Sequence, residues 1–208
     1  GAGKTTLFGV VSGDVRPDAG DVVFDGRVVN RLDPAARCRL GIGRTYQVPR
    51  PFDKMTVFEN VLVAAQQGAR ARGSVSHAHA LRALESTRLS DDANRLAGSL
   101  GLLQRKRLEL ARAIATQPRL LLLDEVAGGL TDLEVRELVD VVRAANAQGI
   151  AVIWIEHVVR ALLATVDRLL CLAGGEVIGD GLPRDVLASP RVRDVYLGTD
   201  ATAAESVA

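Results

Sequence analysis

Gly1-Ala2-Gly3-Lys4-Thr5-Thr6 reads as the second half of the pattern G-x-x-x-x-G-K-[ST]. The chemistry of that pattern is phosphate binding. Backbone N–H groups at a helix start converge on phosphate oxygens, a lysine adds positive charge, and the next hydroxyl reaches a magnesium ion. Gly3 then allows close backbone approach, Lys4 pairs with the outer phosphates, and Thr5 ligates the metal. The first glycine of the pattern and the strand before it are expected upstream of Gly1. Half a motif carries little by itself, so the remaining chemistry must come from further along the chain.

That chemistry is a pair of acids after an apolar run, Leu120-Leu-Leu-Leu-Asp124-Glu125. A buried strand delivers both carboxylates at its C-terminal end, where ligands bind in open α/β sheets. One acid can hold the magnesium shell, and the other, pointing the opposite way, can polarise a water. Gln47 follows the apolar stretch 42–46, and His157 follows 150–155. A lone glutamine or histidine after a strand is ordinarily structural. At strand ends that share a sheet with the acid pair, an amide can ligate magnesium and orient water, and an imidazole can bond a terminal phosphate.

The elements that must position these residues alternate. A short helix is expected from Lys4 to Val11, ending at Gly13. Asp25-Gly26 marks a hairpin between 22–24 and 27–29. Asp33-Pro34 starts a helix, with Asp33 as its cap. Thr56 and Glu59 form a capping box, as do Thr131 and Glu134. Residues 66–99 are expected to be helical with a loop near Gly73-Ser74. An amphipathic helix spans Arg105 to Thr116, with Leu108, Ala111 and Ala115 on its buried face. The apolar runs 120–123, 150–155 and 168–172, separated by helices, predict a parallel sheet covered on both faces.

Composition narrows the function classes. The 208 residues carry 26 basic and 25 acidic side chains, a net charge of +1, which gives no electrostatic reason to expect nucleic acid as a partner. Cys38 and Cys171 fit no metal or redox spacing. The longest apolar stretches fall far short of the roughly 20 residues of a membrane span, so a membrane role is expected to come through a partner.

Taken in order, Gly-Lys-Thr, Gly-Arg-Thr-Tyr-Gln47, Leu-Glu-Leu-Ala-Arg-Ala, Leu-Leu-Leu-Leu-Asp-Glu and Ile-Glu-His157 resemble the ATP-binding cassette of ABC transporters. Five segments are similar to the ATPase subunits of branched-chain amino acid importers: Arg44-Thr-Tyr-Gln47, Met55-Thr-Val-Phe-Glu-Asn60, Arg107-Leu-Glu-Leu-Ala-Arg112, Ile155-Glu-His157 and Val195-Tyr-Leu-Gly198. The resemblance implies an α/β P-loop NTPase fold with a mostly parallel sheet, an antiparallel hairpin region near the N-terminus and a helical insert. Residues 1–47 and 104–198 would form the ATPase core, 48–103 the helical subdomain, and 199–208 a frayed tail.

The resemblance also implies roles. Gly1, Ala2, Gly3, Lys4, Thr5 and Thr6 match the phosphate loop for ATP. Thr5, Gln47 and Asp124 match the Mg2+ ligands, Glu125 the general base and His157 the switch histidine. Gly129-Leu130-Thr131-Asp132 falls where the family has a loop that crosses to its neighbour. Implied partners are integral membrane permease subunits, a second cassette packed head to tail, and, indirectly, a periplasmic or extracellular solute-binding protein. The implied place is the cytoplasmic side of the bacterial inner membrane.

Where the family has Leu-Ser-Gly-Gly-Gln, this chain has Leu100-Gly101-Leu102-Leu103-Gln104. The hydroxyl is gone and two bulky side chains replace glycines. Leu100, Gly101 and Gln104 remain as candidate contacts to the nucleotide through backbone amides. The alternative is a nucleotide-gated cassette with impaired hydrolysis that regulates an active partner. A cassette acting on DNA or ribosomes is disfavoured, because the insert between Gln47 and Leu100 is short. The aromatic residue on which the family stacks adenine is expected upstream of Gly1, so this stretch is expected to bind ATP poorly alone. Four features are given ordinary readings: His77 and His79 on a solvated helix face, Arg105-Lys106-Arg107 on the polar side of their helix, and Trp154 in the core. Phe52, Met55, Val57 and Phe58 are divided between core packing and a permease groove.

Overall fold

The computed structural model describes residues 2–157, 163 and 165–195. Gly1, the Tyr-Leu-Gly198 ending and the tail at 199–208 lie outside the described residues. The site is organised by three parallel strands in the order β3 (Ile42–Arg44), β4 (Leu120–Asp124) and β5 (Ala151–Ile155). Leu120 pairs with Ile42 on one side and Ala151 on the other, and Asp124 pairs with Ile155. This register brings Thr45–Gln47, Asp124-Glu125 and Glu156-His157 out at the same edge of the sheet. Leu121, Leu122 and Leu123 are fully buried, which is why β4 is a continuous apolar run. Burial of each stabilises the fold by about 1.5–3 kcal/mol.

Helix α1 (Lys4–Ser12) lies against this sheet through Phe8, which packs with Ile42, Leu122 and Ile155. Its end and the expected hairpin, β1 (Val23–Phe24) with β2 (Arg27–Val28), follow the sequence closely. Asp25 and Gly26 both have positive φ, 53° and 73°, as a two-residue hairpin turn needs. Asp33 caps α2 (Pro34–Leu40), its carboxylate accepting the Ala36 N–H at 2.6 Å. Helices α3 (Val57–Gln67), α4 (Gly73–Ser86), α5 (Leu102–Ala115) and α6 (Asp132–Ala147) complete the main core with β4. Trp154 packs against that core, as expected. Among the described residues, no helix is long and apolar enough to cross a membrane.

Both capping boxes form. At α3, the Thr56 hydroxyl accepts the Glu59 N–H at 3.1 Å and Glu59 accepts the Thr56 N–H at 2.7 Å. Thr56→Ala is expected to lower stability by about 1 kcal/mol, read as an earlier urea midpoint with unchanged slope.

Four expectations need correction. The run 168–172 does not join the parallel sheet. It forms β6 (Leu169–Ala173), which pairs antiparallel with β7 (Glu176–Gly181) in a separate two-stranded sheet followed by α7 (Pro183–Ala188). Gly174 and Gly175, both left-handed at φ 57° and 85°, supply the tight turn that a parallel crossover cannot use. Strand pairing in β3 ends at Arg44 rather than residue 46, although the Thr45 N–H still donates to Leu122 O at 2.9 Å. The stretch 66–99 is not helical throughout: the loop near Gly73 falls at 68–72, where the Ala71 N–H reaches back to Ala65 O, but α4 ends at Ser86 and residues 87–96 form turns.

The fourth correction concerns α5. It starts at Leu102, and Leu108, Ala111 and Ala115 are fully buried as expected, but Lys106 and Arg107 are buried too. The helix is packed against α3, α4, α6 and β3, so it keeps little solvent face. Arg107 pairs with Glu137 of α6. His77 is exposed and rests on the Phe58 ring, while His79 is half-buried.

Candidate active site

Asp124 ends β4 almost fully buried, at 4% exposure, with its N–H donated to the Thr45 hydroxyl at 3.3 Å. Its carboxylate lies 3.4 Å from the Arg44 guanidinium. Arg44 also donates to Ser12 Oγ at 2.8 Å and to Asp14 at 2.7 Å. The end of α1 is thereby tied through Arg44 to Asp124. Sequence reasoning assigned Arg44 no role of its own beyond its place in the Arg44-Thr-Tyr-Gln47 segment at the end of β3.

Glu125 leaves the strand in a left-handed conformation, φ 47°, which a residue bearing a Cβ rarely adopts. Its N–H still donates to Ile155 O at 2.9 Å, so the backbone turns only after the sheet bond is made. The two acids then take different partners, Asp124 the Arg44 guanidinium and Glu125 the Gln47 amide. Glu125 Oε2 accepts Gln47 Nε2 at 2.5 Å and lies 4.0 Å from His157 Nδ1. Three residues from three strand ends therefore meet at one carboxylate oxygen.

His157 is held by its neighbour. Its N–H donates to Glu156 Oε1 at 3.0 Å, and its Nδ1 lies 3.2 Å from the same oxygen. Glu156 has a fully buried side chain, and its second oxygen accepts the Ala127 N–H at 3.0 Å. One carboxylate thus joins the histidine to the turn that follows Glu125. Glu156 was missed because a glutamate beside a histidine has no periodic signature. Lys106 was missed because its helix was read as amphipathic.

Lys4, Thr5 and Thr6 stand exposed on the first turn of α1, with Ala2 half-buried before them. The bonds that unite Gln47, Glu125 and His157 do not include them. Gly3 is the N-cap at φ 86°, with no side-chain cap bond, and its backbone lies near Leu172 and Gly175. A left-handed glycine before an uncapped first turn presents backbone N–H groups to an anion. Leu100 is buried, Gly101 is the extended N-cap of α5, Leu102 is 46% exposed and Gln104 half-buried. These residues form a second helix start, outside the bonds of the carboxylate cluster.

The donor set suits a nucleoside triphosphate with magnesium. The threonine hydroxyl, glutamine amide and aspartate carboxylate are hard oxygen ligands of the kind Mg2+ takes together with phosphate oxygens. No soft thiolate belongs to the group.

Beside the site lies an apolar surface. Tyr46, Val48 and Phe52 are exposed at 50%, 64% and 47%. Arg112 covers the Phe52 ring at 5.3 Å and donates to Glu109 and to Arg50 O, each at 3.0 Å. Burial pushes the Glu109 carboxyl up, opposed by the charge of Arg112 and by hydrogen bonds from Tyr46 and Arg112. Asn60, fully buried, accepts the Phe52 N–H at 2.8 Å and donates to Phe52 O and Thr56 O. The loop after Gln47 is therefore anchored to α3 from within.

Comparison with known proteins gives the family. Residues 1–128 match the family described as ABC transporter, and residues 176–202 match that of the branched-chain amino acid ATP-binding cassette transporter. The lipopolysaccharide export system ATP-binding protein LptB of Acidithiobacillus ferridurans is 36% identical over 95% of this chain and 82% of its own. The probable branched-chain amino acid transport ATP-binding protein LivG of Archaeoglobus fulgidus is 35% identical, over 95% and 81%. BraF of Pseudomonas aeruginosa, a high-affinity branched-chain amino acid transport ATP-binding protein, is 34% identical, over 95% and 84%. Among solved structures, a nucleotide-free ATP-binding cassette from an ABC transporter superposes with a TM-score of 0.83 at 29% identity, over 94% of this chain and 83% of that one. An ATP-binding cassette in its ADP conformation gives 0.82 at 29% identity, over 95% and 84%.

Proposed function

This chain belongs to the ATP-binding cassette ATPases of ABC transporters, and we propose that it powers the uptake of a branched-chain or related amino acid. The observation that carries the catalytic part is the meeting of Gln47, Glu125 and His157 at neighbouring strand ends. Gly1, Ala2, Gly3, Lys4, Thr5 and Thr6 hold the ATP phosphates. Thr5, Gln47 and Asp124 would hold magnesium, which would supply positive charge to offset the charge that develops on the phosphate oxygens. Glu125 accepts the proton of the attacking water, which Gln47 helps to orient. With Nδ1 turned to Glu156, His157 keeps Nε2 available to a phosphate oxygen.

A second cassette packs head to tail, so that Leu100, Gly101 and Gln104 meet the partner's nucleotide. Without a serine hydroxyl, the backbone N–H groups at the start of α5 make that contact. Residues 48–103 act as a helical subdomain, and the Tyr46–Phe52 surface receives a membrane permease. Docking there places the chain on the cytoplasmic face of the bacterial inner membrane, with the solute-binding protein reached only through the permease.

The amino-acid reading is supported by the match at 176–202 and by the LivG and BraF relatives. The comparable identity to a lipopolysaccharide export ATPase keeps solute choice with the permease. Reconstitution of the ATPase with its permease and binding protein tests it. ATP-dependent leucine uptake into proteoliposomes is the expected result. ATP turnover that proceeds with no uptake of any branched-chain amino acid would sink the solute assignment. The Leu102-Leu103 substitution favours one other reading, a regulatory cassette with impaired hydrolysis, which turnover measurements separate.

A further inference from the structure

Glu125 needs outside help to stay in its left-handed turn, since that conformation costs on the order of 1–3 kcal/mol for a residue with a side chain. Its carbonyl oxygen receives two donors. The Gly128 N–H lies at 3.4 Å and Lys106 Nζ at 3.5 Å. Lys106 comes from α5, the helix that begins at the Leu100–Gln104 segment, and it is only 5% exposed. Burial draws its pKa down, and the charges of Glu156 and Glu125 oppose that. A buried ammonium that donates to the carbonyl of a left-handed residue is an unusual arrangement for a helix surface. Glu156 in turn holds the Ala127 N–H and the His157 ring.

We propose that Lys106 is a positioning residue for ATP hydrolysis: it fixes the Glu125–Gly128 turn through the Glu125 carbonyl. Its role runs through Glu125 and needs no contact with substrate. Because Lys106 rides on α5, the placement of that helix sets the geometry of the water-activating carboxylate. Engagement of Leu100–Gln104 with a partner's nucleotide is then felt at this chain's own Glu125. The inference rests on Glu125 being the general base.

The test is steady-state turnover and ATP–Mg affinity in the intact ATPase. Lys106→Met is expected to lower kcat by about tenfold to a hundredfold, the scale of a misplaced catalytic group, with KM and affinity held within about twofold. In a Glu125→Gln background it is expected to cause no further loss, because it acts through that residue. Unchanged kcat, affinity falling in parallel with kcat, or a further loss in the Gln background would each overturn the inference. If Lys106→Met does not fold, Lys106→Gln takes its place, with the same outcomes. It keeps a polar side chain at this buried position and removes the ammonium. Full turnover in Glu125→Gln alone would instead remove the general base, and the inference with it. Full turnover in Lys106→Met beside an inactive Glu125→Gln removes only the inference.

Discussion

Glu125→Gln is expected to cut ATP turnover about a thousandfold while leaving ATP binding intact, within the range by which a positioned acid or base accelerates a reaction. The reason lies in what the substitution spares. An amide at position 125 has nearly the same shape, still sits at the end of β4, and still has its N–H bonded to Ile155 O. Its oxygen can still accept Gln47 Nε2. What it loses is the ability to take a proton. Lys4, Thr5 and Asp124 are untouched, so nucleotide affinity should change little. A sharp fall in kcat with an unchanged KM is the signature of an interaction used only in the transition state. The same comparison decides between the two readings of the Leu100–Gln104 segment. If wild type and the glutamine variant turn over equally slowly, the chain is a nucleotide-gated regulator and its partner cassette does the hydrolysis.

The largest expected effect on stability is at Arg37. Its side chain is 1% exposed, and its guanidinium binds four backbone carbonyls. Val10 O and Val11 O, at 2.6 and 2.9 Å, belong to the last turn of α1, whose carbonyls have no partner within the helix. Leu32 O at 3.1 Å and Asn30 O at 3.5 Å come from the loop before α2. Gly13 closes α1 at φ 92°, and a Cβ there would lie 2.9 Å from Arg37 Nε, so the glycine and the arginine are fitted to each other. Arg37→Ala leaves several buried acceptors unpaired as well as a void. The expected loss is about 3 kcal/mol, read from the urea midpoint. Arg37→Lys should recover only part of it, because one ammonium cannot fork between two elements as a guanidinium does. Since α1 starts at the residues proposed to bind phosphate, ATP affinity is expected to weaken alongside stability. A variant as stable as wild type would show that the α1–α2 joint carries no load.

Much of the fold and the site was legible in the residues themselves. The four leucines before Asp124-Glu125 announced a buried strand with acids at its end, because only a strand covered on both faces is apolar without alternation. The two capping boxes, the Asp33-Pro34 start and the Asp25-Gly26 turn act within a few residues, so local chemistry determined them. The order of Lys4, Gln47, Asp124, Glu125 and His157 was enough to point to a cassette. Tertiary structure decided what depends on distant neighbours. It paired β6 with β7 rather than with the parallel sheet. It buried Lys106 and Arg107 by surrounding α5 on several sides. It drew Gln47 and His157 onto the Glu125 carboxylate by aligning three strands in register, and it gave Glu156, Lys106 and Arg44 their places behind them. Hydrophobic period and turn chemistry are written in adjacent residues. The partner of a buried charge is set by packing between elements that lie far apart in the chain.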